Sequence, residues 1–161
     1  MQAVPRGVVP GCRVIQISKV RMNPYVGLLR DALREVGIPC SLADGLSPRL
    51  VRSWRGMADI LHLHWLELLY SGPTLTRSLR LSTAVLGGLV WAKAEGRKVV
   101  YTVHNLDAHE QLFPLLDRIA NGVLFGLADA LHVHDEEAKL GVARAYPVSA
   151  SWYGRQRERV Y

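Results

Sequence analysis

The chain has 161 residues, of which 49% are apolar and 21% charged, so it is long and apolar enough to fold as one globular domain with a buried core. This composition excludes a disordered or fibrous protein. The formal net charge is +6, and residues 1–60 carry nine basic and four acidic side chains, whereas residues 106–145 carry three and seven. A basic N-terminal side can attract nucleic acid, anionic lipid or phosphorylated small molecules, and a GC-rich genome explains an excess of arginine equally well.

The N-terminal part of the chain predicts a flexible leader followed by a strand and a helix. Residues 1–11 contain prolines and glycines but no apolar run of the kind that a signal peptide needs. Residues 13–18 form a β-branched run typical of a strand. Asn23 as N-cap, Pro24 at the first helical position and Gly37 as the stop predict the helix. Its inner face is assigned to Tyr25, Leu28, Leu29, Ala32, Leu33 and Val36.

The next segment predicts two strands separated by a short basic helix or loop. Residues 38–42 read as a strand, which Pro39 places near a sheet edge. The basic helix or loop spans residues 46–56. Residues 59–64 (DILHLH) alternate, so both histidines share one face of a third strand and both leucines the other.

A long helix and the most β-rich strand follow. Ser71, Gly72 and Pro73 open the helix, which runs to about Glu95 and stops at Gly96. Its inner side is assigned to Leu75, Leu79, Leu86, Leu89 and Val90. Residues 98–103 (KVVYTV) then predict a buried strand.

The last third of the chain predicts a helix, a strand and a helix. Asp107 and Glu110 form a capping box for a helix that runs to about residue 126. A fifth strand is predicted over residues 129–134 and a final helix over residues 136–145.

This alternation of strands and helices predicts one α/β domain over residues 12–145. We expect a doubly wound, mainly parallel, Rossmann-like sheet with helices on both faces, because parallel neighbours need helical crossovers of one hand. Residues 146–161 are interpreted as a basic tail or as the start of an interdomain linker.

All six histidines fall at or just beyond the carboxyl ends of predicted strands, which is where ligands bind in an open parallel sheet. An imidazole can donate hydrogen bonds to phosphates and sugars and can act as an acid or a base. For His62 and His132 we favour the structural interpretation, a ring satisfied within the core. The candidate catalytic residue is His104, which precedes a predicted helix N-terminus. The candidate substrate-binding residues are Lys19, Arg21, Asn23, His64, Trp65, Glu67, Asn105, His109 and His134.

Other kinds of site are less well supported. His-x-His at a strand end can hold zinc, but hydrolases of that kind close a much longer barrel and use a further carboxylate. Cys12 and Cys40 have no partner at ligand spacing and are interpreted as buried thiols. Neither a Walker motif nor a dinucleotide fingerprint is present, and the basic residues are not interleaved with stacking aromatics. We therefore predict no metal, no cofactor and no nucleic acid partner.

Three segments resemble the N-terminal, acceptor-side domain of GT-B glycosyltransferases, most closely the family 4-like group. They are residues 59–67 (DILHLHWLE), 97–105 (RKVVYTVHN) and 128–134 (ADALHVH), and the resemblance runs from about residue 13 to 145. It implies that this domain holds the sugar acceptor, that a second Rossmann-like domain holds the nucleotide-sugar, and that no metal is required. His104 matches the family histidine that faces the donor sugar and its phosphates, and Asn105 extends the same loop.

The function expected from this resemblance is transfer of a hexosyl unit from a nucleotide-diphosphate sugar to a lipid-linked or polysaccharide acceptor. Activity is expected to need a separate donor-binding half. We expect a cytoplasmic protein, with peripheral contact at the inner face of the membrane through basic residues such as Arg77 and Arg80, although a solvated helix face explains these two equally well. Two alternatives stay open, a non-catalytic binding or scaffold domain derived from the same fold and a small metal-dependent hydrolase.

Overall fold

The computed structural model describes residues 11–20, 22–104, 112–134, 140–142 and 144. Five strands in these ranges form one all-parallel sheet. They are β1 (Val14–Ile17), β2 (Cys40–Ala43), β3 (Ile60–His64), β4 (Lys98–Val103) and β5 (Ala130–Val133). The strand order is β2-β1-β3-β4-β5, so the winding direction reverses between β1 and β3. The predicted Rossmann-like fold is confirmed, as is the edge position of β2.

Helices cover both faces of this sheet. They are α1 (Pro24–Glu35), α2 (Pro48–Ser53), α3 (Leu66–Tyr70), α4 (Leu75–Ala94) and α5 (Pro114–Leu127). α4 contacts α2, α3, α5 and β4, and the main core includes Leu61, Leu63 and Val99 from the sheet. α1 lies on the opposite face, where Tyr25 contacts the ring of His64. The histidines of β3 therefore lie on the face that α1 covers, and the alternation correctly predicted that they share one face.

The ends of α1 follow the predicted signals, but its inner face does not. The Asn23 side chain accepts a hydrogen bond from the Tyr25 N–H at 2.9 Å, and Gly37 has a φ of +83°. Val26 is the buried residue of the helix, whereas Leu28 is 67% exposed. The assignment of Leu28, Ala32 and Val36 to the inner face was wrong, because α1 covers the sheet only through a narrow stripe. That stripe consists of Val26, Leu29 and Leu33.

The buried face of α4 is made mainly of small residues rather than of the predicted leucines. Leu75, Leu79 and Val90 are each about half exposed, so their assignment to the inner side was wrong, whereas Leu89 is fully buried. The buried positions are Ser78, Ser82, Val85, Gly88, Leu89 and Ala92. Small side chains let α4 approach its neighbours closely, and a Cβ on Gly88 would lie 3.0 Å from the Ser47 backbone.

Two further features differ from prediction. α5 begins at Pro114, and Leu112 and Phe113 before it are not helical, so the prediction of a helix from residue 107 was wrong for these two residues. Proline is favoured at the first position of a helix, which explains the observed start. Asp107 and Glu110 lie outside the described residues. α3 was not predicted at all, and Thr74 rather than the Ser71 region caps α4.

Other predictions are partly met or not tested. Cys40 is buried, but Cys12 is only partly so, and both thiols are free. Residues 140–142 and 144 are helical, within the last predicted helix. The leader and the tail lie outside the described residues. In the described part of the chain, no helix is both long and apolar enough to cross a bilayer.

Candidate functional site

Three histidines from neighbouring strands line up at the carboxyl edge of the sheet. His64 is the last residue of β3, and His104 and His134 directly follow β4 and β5. Val103 is in register with Val133, so the two following histidines lie side by side. We call His64, His104 and His134 the histidine file. Its members were predicted to line one rim, and the structure brings all three together.

Hydrogen-bonding nitrogens connect the file from the core to the surface. Nδ1 of His64 lies 3.2 Å from Nε2 of His104, and Nδ1 of His104 lies 3.3 Å from Nε2 of His134. His64 is fully buried, His104 is half-buried and His134 is exposed. The three rings therefore form a chain of hydrogen-bonding nitrogens that runs from the interior of the sheet to its open edge.

Two aromatic side chains hold the central ring in place. The Trp65 indole stacks on His104 with the ring centroids 3.7 Å apart and the planes 6° apart. Tyr25, in the first turn of α1, makes edge contacts with all three rings of the file, at centroid distances of 5.8, 5.1 and 5.6 Å. Trp65 adopts the left-handed backbone region with φ +46°, which is strained for a bulky residue. Tyr25 was not singled out from the sequence.

Burial keeps the inner imidazoles neutral. Desolvation, and then the neighbouring histidines, lower the pKa of His62 and of His104 to about 4. The same causes lower the pKa of the more deeply buried His64 to about 2. At neutral pH these rings therefore act as neutral donors and acceptors and not as cations.

His62 and His132 each lie two residues before a member of the file, and their surroundings differ. Nε2 of His62 lies 2.8 Å from the Thr102 hydroxyl, which confirms the prediction of a ring satisfied within the core. His132 is exposed, so the same prediction was wrong for it, because β5 forms the edge of the described sheet.

The file is not arranged as a metal centre. The two nitrogens of His104 face different rings, so the three imidazoles do not converge on one point. Among the described residues, no group of three or more His, Cys, Asp or Glu side chains could hold a metal ion.

The remaining candidate residues are placed as follows. The Lys19 ammonium donates to the Leu68 carbonyl at 2.8 Å, which ties the loop after β1 to α3. Asn23 uses its side chain as the cap of α1. Glu67 lies in the first turn of α3 and is half-buried. Arg21, Asn105 and His109 lie outside the described residues.

The site lies at the point where the sheet reverses its winding, between β1 and β3. The loop after β1 leads into α1, whose first turn contacts the file, and Trp65 directly follows β3. In open α/β sheets this crevice is the usual ligand site. A motif search by residue type would not single out Tyr25, but its place after the Pro24 start of the first crossover helix is a signal that could have found it.

Comparison with known proteins gives one consistent result. Two curated proteins from Xanthomonas campestris pv. campestris, both named GDP-mannose:glycolipid 4-beta-D-mannosyltransferase, are 34% identical to this chain over 90 residues. The matched segment is 55% of this chain and 24% of each relative, so the chain spans about a quarter of their length. No protein-family model matches the chain. The chain is thus a distant homologue of a glycosyltransferase, which confirms the resemblance drawn from residues 59–67, 97–105 and 128–134.

Proposed function

We propose that this domain is the acceptor-side half of a glycosyltransferase that moves a hexosyl unit from a nucleotide-diphosphate sugar to a lipid-linked or polysaccharide acceptor. The names of the homologues favour GDP-mannose as the donor and a glycolipid as the acceptor. The parallel sheet, with its crevice between β1 and β3, supplies one wall of a cleft of the kind that such a reaction needs.

The observation that carries the proposal is the histidine file at the carboxyl edge, with Trp65 stacked on its centre. When a hexosyl group leaves a nucleoside diphosphate, negative charge develops on the departing phosphate. Fixed N–H donors stabilise such charge, and neutral imidazoles held by hydrogen bonds and aromatic walls supply them without reorganisation. In this proposal His104 is the central ring that holds the file together, and Asn105 follows it in the sequence.

The other candidates shape the two substrates. Trp65 and Glu67 form the acceptor side of the crevice after β3, and the buried ring of His64 lies behind Trp65. Lys19 and Arg21, which follow β1 in the sequence, can neutralise phosphate charge. Asn23 caps α1 beside them, and His109 is proposed as a further substrate-binding residue from the sequence alone. The Lys19 ammonium gives one of its three N–H donors to the Leu68 carbonyl, so the others can contact a phosphate.

The opposite wall of the cleft belongs, in this proposal, to a donor-binding domain or subunit. One wall positions only one of the two substrates, so most of the advantage of holding both reactants together is lost without the other. The complete enzyme is therefore the unit to test.

The test is transfer of labelled mannose from GDP-mannose to a short lipid-linked oligosaccharide. The full protein is assayed with its donor-binding domain or subunit present. We expect transfer, and we expect His104→Ala, which removes the central ring and disconnects the file, to lower its rate about 100-fold or more, the usual effect of losing a preorganised charge-stabilising group.

Thr83→Ala, at an exposed position of α4, is the control and should keep the wild-type rate. Two results would overturn the proposal. One is an absence of hexosyl transfer by the complete, folded assembly. The other is a His104→Ala rate within about two-fold of wild type, which would leave a scaffold role as the better interpretation.

A further inference from the structure

His104, the central ring of the file, has no nitrogen left for a ligand. Its Nε2 faces His64 and its Nδ1 faces His134, while Trp65 covers one face of the ring and Tyr25 contacts it from the side. His64 is buried completely. His134 is the exposed member of the file, and its Nδ1 has no hydrogen-bond partner among the described residues.

The buried end of the file fixes the direction of its hydrogen bonds. Nε2 of His64 is buried and has no hydrogen-bond partner within the described ranges. A neutral imidazole carries one N–H, and leaving a buried donor unpaired is rarer than leaving an acceptor unpaired. The proton of His64 therefore belongs on Nδ1, from which it donates to Nε2 of His104.

The same reasoning applies to His104 and then to His134. Because Nε2 of His104 accepts, its proton lies on Nδ1 and is donated to Nε2 of His134. Nε2 of His134 then accepts, so the proton of a neutral His134 lies on Nδ1, the nitrogen without a hydrogen-bond partner among the described residues. The arrangement of three rings thus provides one N–H donor at the exposed end of the file, directly after β5.

We infer that His134 is the member of the file that contacts the anionic phosphate of the nucleotide leaving group, and that His64 and His104 are positioning residues that fix its tautomer. This inference rests on the proposed function for the identity of the anion. The first turn of α1 lies beside His134 through the 5.6 Å contact with Tyr25, and the positive end of the dipole of this 12-residue helix favours an anion at the same place.

The first test reads the tautomers directly. Two-bond ¹⁵N–¹H NMR correlations of the histidine-labelled full protein, at neutral pH, distinguish rings protonated at Nδ1 from rings protonated at Nε2. We expect His64, His104 and His134 to be Nδ1–H tautomers. Finding Nε2–H on His64 or His104 would overturn the inferred direction.

The second test uses inorganic pyrophosphate and GDP as probes. We expect both to shift the ring signals of His134 more than those of His104, and His134→Ala to weaken their binding about ten-fold, the usual effect of losing one hydrogen bond to a charged group. His132→Ala, which removes an exposed ring from the same strand, is the matched control and should bind as wild type does. Equal binding by His134→Ala and wild type would overturn the inference.

The third test asks whether the inner rings act through His134. His64→Asn places an amide N–H near the position of Nδ1 and should retain the affinity for pyrophosphate, whereas His64→Leu should lose several-fold while remaining folded. If His64→Leu does not fold, the tautomers of the wild-type protein still decide the question. Loss of affinity in both variants alike would indicate a merely structural role for His64 and would count against the inference.

The failures of the two proposals can be told apart. Hexosyl transfer that persists in His134→Ala would remove the inference and leave the proposed function intact. Absence of transfer, together with the expected tautomers and a pyrophosphate site at His134, would remove the glycosyltransferase proposal and leave an anion site at the file.

Discussion

His64 shows how a single residue can couple a binding site to the stability of the domain. It is fully buried, faced by Tyr25 from α1, by His62 on its own strand and by His104 from β4. Burial and these neighbouring rings lower its pKa to about 2, against about 6.5 in an unfolded chain. Between these values the unfolded state binds a proton that the native state does not, so the free energy of unfolding falls as the pH falls below about 6.5.

We therefore expect His64→Asn to flatten the acid dependence of stability. Removing one such histidine lowers the slope by about 1.4 kcal/mol per pH unit between pH 6 and 4. The measurement is the free energy of unfolding from urea titrations at a series of pH values. His132→Asn, at an exposed ring, should change the slope less. A slope that His64→Asn leaves unchanged would mean that His64 titrates normally in the native protein.

The sequence predicted which residues form the site better than it predicted the contacts between them. The positions of His64, His104 and His134 after three strands follow from period-2 alternation and from the ends of β-branched runs, which are local signals. The contact of Tyr25 with all three rings depends on how α1 crosses the sheet, and the exposure of His132 depends on which strand lies at the edge. Both are set by tertiary packing, so a local pattern can report the place of Tyr25 at the start of α1 but neither its contacts nor the exposure of His132.

Among the helices, α4 packs so closely against the loop before α2 that Gly88 leaves little room for a larger residue. A Cβ on Gly88 would lie 2.9 Å from Leu46 Cγ and 3.0 Å from the backbone of Ser47. On Gly87 it would lie 3.4 Å from Pro48 Cγ, an ordinary contact distance. The two positions are adjacent in the same helix, so the intrinsic helix preference of alanine acts equally on both.

We expect Gly88→Ala to lower the free energy of unfolding by up to about 2 kcal/mol, because overpacking against backbone costs about 1–3 kcal/mol and the gain in helix propensity offsets about 1 kcal/mol of that cost. Gly87→Ala should be neutral or stabilising by up to about 1 kcal/mol. Thermal and urea denaturation of the two variants measure the difference. Equal free energies of unfolding for the two variants would show that the loop before α2 can move to accommodate the added methyl group without loss of stability.

The elements themselves were predictable where a local signal marks them. Asn23, Pro24 and Gly37 bound α1 as expected, and Gly96, with φ +77°, ends α4. The inner face of α4 was not predictable in this way, because its buried residues Ser78, Ser82 and Gly88 are small rather than apolar. A search for leucines passes over such positions. α3 has only five residues, too few for a helical period to show in the sequence.

For the whole molecule, the route from β3 to α4 brings a basic and apolar surface to the same end of the sheet as the histidine file. Trp65 leads directly into α3, and four residues separate the end of α3 from the start of α4. The first half of α4 lines a groove of about 560 Å³ that includes Arg77 and Arg80, and Leu75 and Leu79 are about half exposed nearby. A glycolipid acceptor held in a membrane could approach the file from this side.

We therefore predict that the domain binds anionic vesicles through the start of α4. Each arginine near a charged lipid surface contributes about 1 kcal/mol, so a variant with both Arg77→Gln and Arg80→Gln should bind vesicles containing phosphatidylglycerol about 20- to 30-fold more weakly. Sedimentation with these vesicles at 0.1 M salt measures the affinity, which should also fall at 0.5 M salt because screening shortens the range of the attraction. Arg30→Gln, on α1 across the sheet, is the matched control. If the double variant and the control bind alike, the charge at the start of α4 is only a solvated helix face, and the acceptor must reach the file by another route.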